Sequence, residues 1–385
     1  MRKGEVTLSI FADFSKAFDT VDYPILINQL HHLGFSTHFI RLIDSYLTNR
    51  YQYVQVNDKS SNRLRVNFGV PQGSILGPVL FNLYVCLLNQ NGPSSYLQYA
   101  DDVTLKQHAK VKDIGQTVTS MQNEMTNIFN WSTQNNLQLN PTKTKLMLFS
   151  TKQLSRLHHL DDLDINITSD QQPIRRVKVF KILGVHFNEN LQWNDHINSI
   201  IKSGYATLRS LKQFKRFADF KLKKTLAECL VLSKIKYCDA IFCDTPKYLV
   251  TRLQKLQNAS ASFIYNKHCN MNDVLKLRWL PVEEGMSFSI VKLAHKSLHD
   301  SDTWPSYLKL SFKPQPLRAL RENELLRTNV VVTNNVEGTF CYAAAINFND
   351  LPVNVRKTVD YNKFSSETRK YLFDKATARV LELNV

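Results

Sequence analysis

Tyr99-Ala100-Asp101-Asp102 decides the reading of this chain, because it sets two adjacent carboxylates between the β-prone runs Ser95-Tyr96-Leu97-Gln98 and Val103-Thr104-Leu105. Such flanks predict a tight hairpin with the Asp pair at its tip. Neighbouring anions repel, so the pair is tolerated where water solvates it or a cation neutralises it. The tip is therefore a candidate Mg²⁺ site. In isolation such a tip is far more often an ordinary solvated turn, and the rest of the chain has to raise the metal reading.

Upstream, Val6-Thr7-Leu8-Ser9-Ile10-Phe11-Ala12-Asp13 alternates apolar and small polar residues. That pattern predicts a central strand delivering Asp13 at its C-terminal end. A central strand so near Met1 leads us to expect the remainder of something longer. Two helices are expected over about 23–33 and 37–48, then a hairpin made by 51–56 and 62–68. Gly69-Val70-Pro71-Gln72-Gly73-Ser74-Ile75-Leu76-Gly77-Pro78 is too rich in Gly and Pro for a regular element, and Pro78 suits the first turn of a following helix. Pro71 stiffens this backbone and Gly73 opens it, so Gln72 and its own N–H groups can approach a ligand. After the Asp pair we expect an amphipathic helix over about 112–135, the loop Asn140-Pro141-Thr142-Lys143-Thr144-Lys145, a strand at 146–150 and a polar segment at 151–162. A short hairpin follows around Leu183-Gly184-Val185.

The 385 residues, 43% of them apolar, suffice for two or three domains with ordinary cores. Lys and Arg outnumber Asp and Glu by 49 to 33, and this +16 favours a polyanionic partner. Helical segments with basic faces are expected over about 195–217, 220–238 and 246–267. Residues 202–236 hold ten basic and two acidic residues, half of the net charge. A solvated face is the ordinary meaning of a charge run, but this one is too lopsided for internal ion pairing. Lys212, Lys215, Arg216, Lys221, Lys223 and Lys224 are the candidates for holding a phosphate backbone. Six scattered Cys lack disulfide or C-x-x-C zinc spacing and read as thiols of a reducing, intracellular compartment. No apolar run approaches the roughly 20 residues that span a bilayer, so no membrane partner is expected.

Taken in order, Phe11-Ala12-Asp13-Phe14-Ser15-Lys16-Ala17-Phe18-Asp19-Thr20-Val21-Asp22, the Pro71-Gln72-Gly73 loop, Tyr99-Ala100-Asp101-Asp102, Asn140–Lys145 and Leu183-Gly184-Val185 resemble the reverse transcriptases of non-LTR (LINE-type) retrotransposons, the jockey-like lineages in particular. The resemblance continues through Leu280-Pro281-Val282 and Leu351-Pro352 and covers nearly the whole chain. It implies metal ligation by Asp13 and Asp101, with Asp102 beside them and the Phe14 carbonyl helping. It also implies exclusion of a ribose 2′-OH by Phe18, nucleotide contacts from Gln72 and Gly73, and a triphosphate lysine at Lys143 or Lys145. Leu183-Gly184-Val185 would be the primer grip. Two Mg²⁺ ions are the implied cofactors, with Mn²⁺ as the alternative. The implied partners are an RNA template, a DNA primer and deoxynucleoside triphosphates.

The fold expected is α+β: a right-hand polymerase palm, an antiparallel sheet with packed helices, over 1–190. A helical basic thumb over 191–270 and a mostly helical C-terminal extension over 271–385 should follow. Fingers motifs and an endonuclease domain that family members carry before the Asp13 strand have no counterpart, so the chain reads as truncated at its N-terminus. The function expected is RNA-directed DNA synthesis from a primer 3′-OH by two-metal phosphoryl transfer. The alternative is an inactive, nucleic-acid-binding remnant of such an element.

Overall fold

Buried residues run unbroken from Val6 to Ala12, so strand β1 (Glu5–Ala12) has both faces covered and must lie inside a sheet. The computed structural model describes residues 4–88, 93–300, 304–305, 308–310, 325–326 and 340–382. In it β1 is the middle of five strands. With β2 (Ser95–Tyr99), β3 (Asp102–Lys110), β4 (Lys145–Phe149) and β5 (Arg175–Arg176), the order is β5-β4-β1-β3-β2. β1 runs antiparallel to both neighbours, with Phe11 opposite Lys145 on one side and Ala12 opposite Val103 on the other. β5 joins β4 in parallel.

The chain divides into two units, Met1–Phe180 with Asn188–Leu191, and Lys181–Phe187 with Gln192–Val385. In the first, four helices share one apolar core with the sheet: α1 (Tyr23–His32), α2 (Thr37–Leu47), α3 (Leu76–Val85) and α4 (Ile114–Gln134). α1 starts where Asp22 accepts a hydrogen bond from the Ile25 N–H at 3.1 Å, with Pro24 in its first turn. Met121, Met125 and Ile128 fall three or four residues apart on α4 and are fully covered. They meet Leu8, Ile10, Phe81 and Leu146 in that core. Truncating any of these to Ala would cost about 2–5 kcal/mol. The Tyr84 hydroxyl donates to the Asn135 carbonyl and accepts from the Asp22 N–H, tying the end of α4 to the start of α1. Burial pushes its pKa up to about 12.

The hairpin expected over 51–68 is two nested ladders, Arg50–Gln52 with Leu64–Val66 and Gln55–Val56 with Lys59–Ser60. The polar segment after Phe149 contains a helix, Lys152–Leu157, that apolar periodicity does not reveal. Its start is fixed by Thr151, which accepts from the Leu154 N–H.

The second unit is helical: α5 (Asn194–Gln213), α6 (Phe220–Ala227), α7 (Lys247–Tyr265), α8 (Val282–His299), α9 (Phe340–Asn349) and α10 (Tyr361–Glu382). α6 continues through a π turn (Glu228–Leu232) into Ser233–Lys236. A side chain at Gly204 would meet Leu256 at 2.5 Å, so the glycine lets α5 and α7 close on each other. The described residues from 271 onward belong to this same unit. Pro314 and Pro316 lie outside the described residues. Among the described residues no helix is long and apolar enough to cross a membrane.

Candidate active site

Asp13 directly follows the end of β1, and both backbone groups of that residue are fixed by the loop before β4. Its N–H donates to Thr144 Oγ1 at 3.3 Å, and its carbonyl accepts from the Asn140 N–H at 2.8 Å. The loop is itself shaped by Asn140, whose Oδ1 accepts from the N–H groups of Thr142 and Lys143. This turn brings the Lys143 ammonium to 3.5 Å from Asp13 Oδ2. Lys145 bonds the Thr142 carbonyl of its own loop instead.

The neighbouring strand supplies the other two carboxylates. Tyr99 pairs with Asp102, so the hairpin closes through the two-residue loop Ala100-Asp101. Ala100 has φ 53, a left-handed conformation that costs a residue with a Cβ about 1–2 kcal/mol. Asp102 opens β3 one position from Val103, which faces Ala12. Its partial burial, followed by the charges of Asp101 and Asp13, raises its pKa above the usual 3.8. Three carboxylates from two adjacent strands thus feel one another.

Asp13 Oδ2 is buried and accepts no hydrogen bond from a described residue, its contact being the 3.5 Å ion pair with Lys143. A buried carboxylate oxygen left in that state suits a cation. Among the described residues no three His, Cys, Asp or Glu side chains form a ready-made metal cage. Mg²⁺ commonly uses one or two carboxylates and completes its shell with water and substrate phosphates. The donor set fits the ions that the sequence implies.

Gly69 (φ 84) passes so close to Asp19 that a Cβ there would stand 2.8 Å from its backbone. This contact and the bond from Gln72 Nε2 to Asp19 Oδ1 (2.8 Å) hold the Pro71-Gln72-Gly73 loop against the Ala17–Asp19 turn. Gly73 (φ 78) faces open space. A cleft of about 590 Å³ opens here, lined by Gln72, Asp19, Arg50 and Tyr51 among others. Phe18 stacks on Phe81 with ring centroids 4.3 Å apart and leans on the core. Phe14 is buried and pairs with Leu139. Asp19, Arg50, Asn140 and Thr144 had no site role in the sequence reading. Only the fold shows what they hold.

β6 (Val179–Ile182) and β7 (Val185–Asn188) turn at Leu183 (φ 45) and Gly184 (φ 87), residues of the second unit. Positive φ at both turn residues matches the right-handed twist of a hairpin. The Tyr237 hydroxyl donates to the Leu183 carbonyl at 2.7 Å, and its ring stands 3.1 Å from where a Gly184 Cβ would lie. Val185 is buried. Nearby, the His186 N–H donates to His196 Nδ1, and burial lowers the His196 pKa to about 4.

Among the basic candidates, Lys212, Arg216 and Lys221 are exposed. Lys215 joins Lys212, Lys255 and Lys267 around a cleft of about 760 Å³. Lys224 lies 3.9 Å from Glu228. Lys223 corrects the sequence reading: it is 6% exposed while its neighbour Leu222 is 48% exposed. α6 is rotated so that Lys223 faces inward, where it cannot serve as a phosphate contact.

Residues 1–187 match the family described as reverse transcriptase (RNA-dependent DNA polymerase). The chain is similar to the probable RNA-directed DNA polymerase from transposon BS of Drosophila melanogaster, with 27% identity over 53% of this chain and 22% of that protein. It is similar also to the RNA-directed DNA polymerase from mobile element jockey of the same organism, with 26% identity over 52% of this chain and 22% of that one. It thus spans about a fifth of the length of these relatives. The apo telomerase structure from Candida tropicalis aligns with a TM-score of 0.35 and 11% identity, over 73% of this chain and 46% of that one.

Proposed function

We propose, from the match of residues 1–187 to the reverse transcriptase family and the similarity to RNA-directed DNA polymerases of LINE-type retrotransposons, that the chain extends a primer 3′-OH with deoxynucleotides on an RNA template. The observation that carries this reading is the meeting of Asp13, Asp101 and Asp102 at the ends of two paired strands. Two divalent ions, when bound, would activate the 3′-OH and neutralise charge on the leaving pyrophosphate. Asp13 and Asp101 hold them, with the Phe14 carbonyl, while Asp102 adds charge beside them. The 3.5 Å approach of Lys143 to Asp13 supports Lys143, over Lys145, as proton donor to pyrophosphate. Phe18, braced by Phe81, crowds a ribose 2′-OH, and Gln72 with Gly73 lies along the nucleotide. Leu183-Gly184-Val185 grips the primer, its turn stiffened by Tyr237.

In this reading the five-stranded unit is the palm and α5–α7 the thumb. The thumb holds the template–primer duplex through phosphates without reading sequence. The deciding experiment is primer extension on RNA with Mg²⁺ and deoxynucleotides, comparing the chain with Asp101→Ala. Extension should vanish in the variant. Equal extension by both would sink the assignment, and duplex binding without extension by either would make the chain a binder.

A further inference from the structure

The corner between α5 and α6 turns three aromatic rings outward. Phe214 is 59% exposed, Phe217 86% and Phe220 51%. Bare phenyl rings are costly in water, at about 25 cal/mol per Å² of apolar surface. Positive charge surrounds them. Lys212, Arg216 and Lys221 are exposed in the same stretch. Asp219 caps α6 by accepting from the Leu222 N–H at 2.7 Å. Phe220 sits 5.6 Å from Tyr265, whose ring carries Lys267 over it, also at 5.6 Å. The corner thereby continues into the cleft where Lys212, Lys215, Lys255 and Lys267 converge.

We infer that this corner and cleft bind single-stranded nucleic acid, its bases stacking on the phenylalanines and its phosphates following the lysines. The inference rests on the nucleic-acid function proposed above and differs from duplex holding. A base in a duplex hides both faces in its stack, so an exposed phenyl ring finds nothing to cover it. An unpaired base offers a face to any aromatic plane, whatever its sequence. The local charge selects a polyanion over an apolar partner or a second, equally basic copy.

The test uses the full chain and fluorescence anisotropy with three labelled probes: a 20-nucleotide uridine strand, a duplex of equal length and an abasic strand of equal length. Phe217→Ala should weaken binding of the uridine strand at least about fivefold, the lower end of one lost base stack. It should leave the duplex and the abasic strand unchanged. Phe217→Trp should restore binding. Lys215→Ala should weaken all three probes together. Unchanged uridine binding in Phe217→Ala would overturn the inference, as would equal loss on all three probes. A shift from dimer to monomer in Phe217→Ala with RNA affinity intact would overturn it too, by showing that a second copy covers the rings. Primer extension in parallel separates the two readings. Failed extension with Phe217-dependent strand binding removes only the polymerase, and intact extension with Phe217-independent binding removes only the stacking corner.

Discussion

Asp102 shows how single residues report on the site. Its pKa is raised, first by burial and then by Asp101 and Asp13, so the folded chain holds that proton more tightly than the unfolded chain. Between the ordinary carboxylate value and the raised one, stability therefore falls as pH rises. Asp102→Asn should raise the thermal midpoint at neutral pH, and the gain should fade once Asp102 is protonated in both states. Melting curves across pH check this. Lys143→Ala should lower the extension rate by about 10²- to 10⁴-fold if the lysine donates the proton, and Lys145→Ala should have a far smaller effect. Single-turnover rates separate them. The nearness of Asp13, Asp101 and Asp102 was legible because motif order and strand ends mark it. Lys223 was not, because its burial depends on how far α6 is rotated in its packing, and no local pattern encodes that. Nor was the approach of Lys143, rather than Lys145, to Asp13, which follows from the Asn140 turn.

At the scale of elements, the glycine loop is held by contact rather than by sequence preference. Gly69→Ala would drive a methyl group into the Asp19 backbone and should cost roughly 2 kcal/mol or more, loosening the Gln72–Asp19 bond with it. Gly73→Ala, in open space, should cost only about 1 kcal/mol of backbone strain. Denaturant unfolding of the two variants distinguishes them. In the second unit, His196 has a folded pKa of about 4 against an ordinary 6.5. Its contribution is fully present above pH 6.5 and is lost as pH falls toward 4. Asp239, raised by burial to about 6, works in the opposite direction. The difference between wild type and His196→Gln isolates the histidine, and this difference should shrink on acidification. The helices expected over about 23–33, 37–48, 112–135, 195–217, 220–238 and 246–267 were readable from their 3.6-residue periodicity and caps, whereas α9 was not foreseen. The nested ladders and the Lys152–Leu157 helix were not, since two-residue strands and polar helices leave too little period to detect.

Across the whole molecule, the +16 charge predicts nucleic-acid affinity that falls steeply with salt. Titration from low to physiological salt should give a log–log slope of about −0.7 per phosphate contacted on a single strand. A flat response would remove backbone recognition altogether. The α+β character was legible because β-alternation stops near residue 190 and helical periodicity takes over. The unit boundary was not, because it cuts through the β6–β7 hairpin. The central place of β1 also governs how the protein is made. Its partners β3 and β4 emerge from the ribosome only later, the second about 140 residues after β1. At ~5–20 residues per second that delay lasts roughly 7–30 s. Until β3 emerges Val6–Ala12 has neither neighbour to pair with, and until the end of the delay it still lacks β4; an unpaired apolar strand of this kind is prone to aggregate. A strand that is first in the chain and central in the sheet therefore gives the nascent chain a long exposure to aggregation that an edge strand in the same position would not.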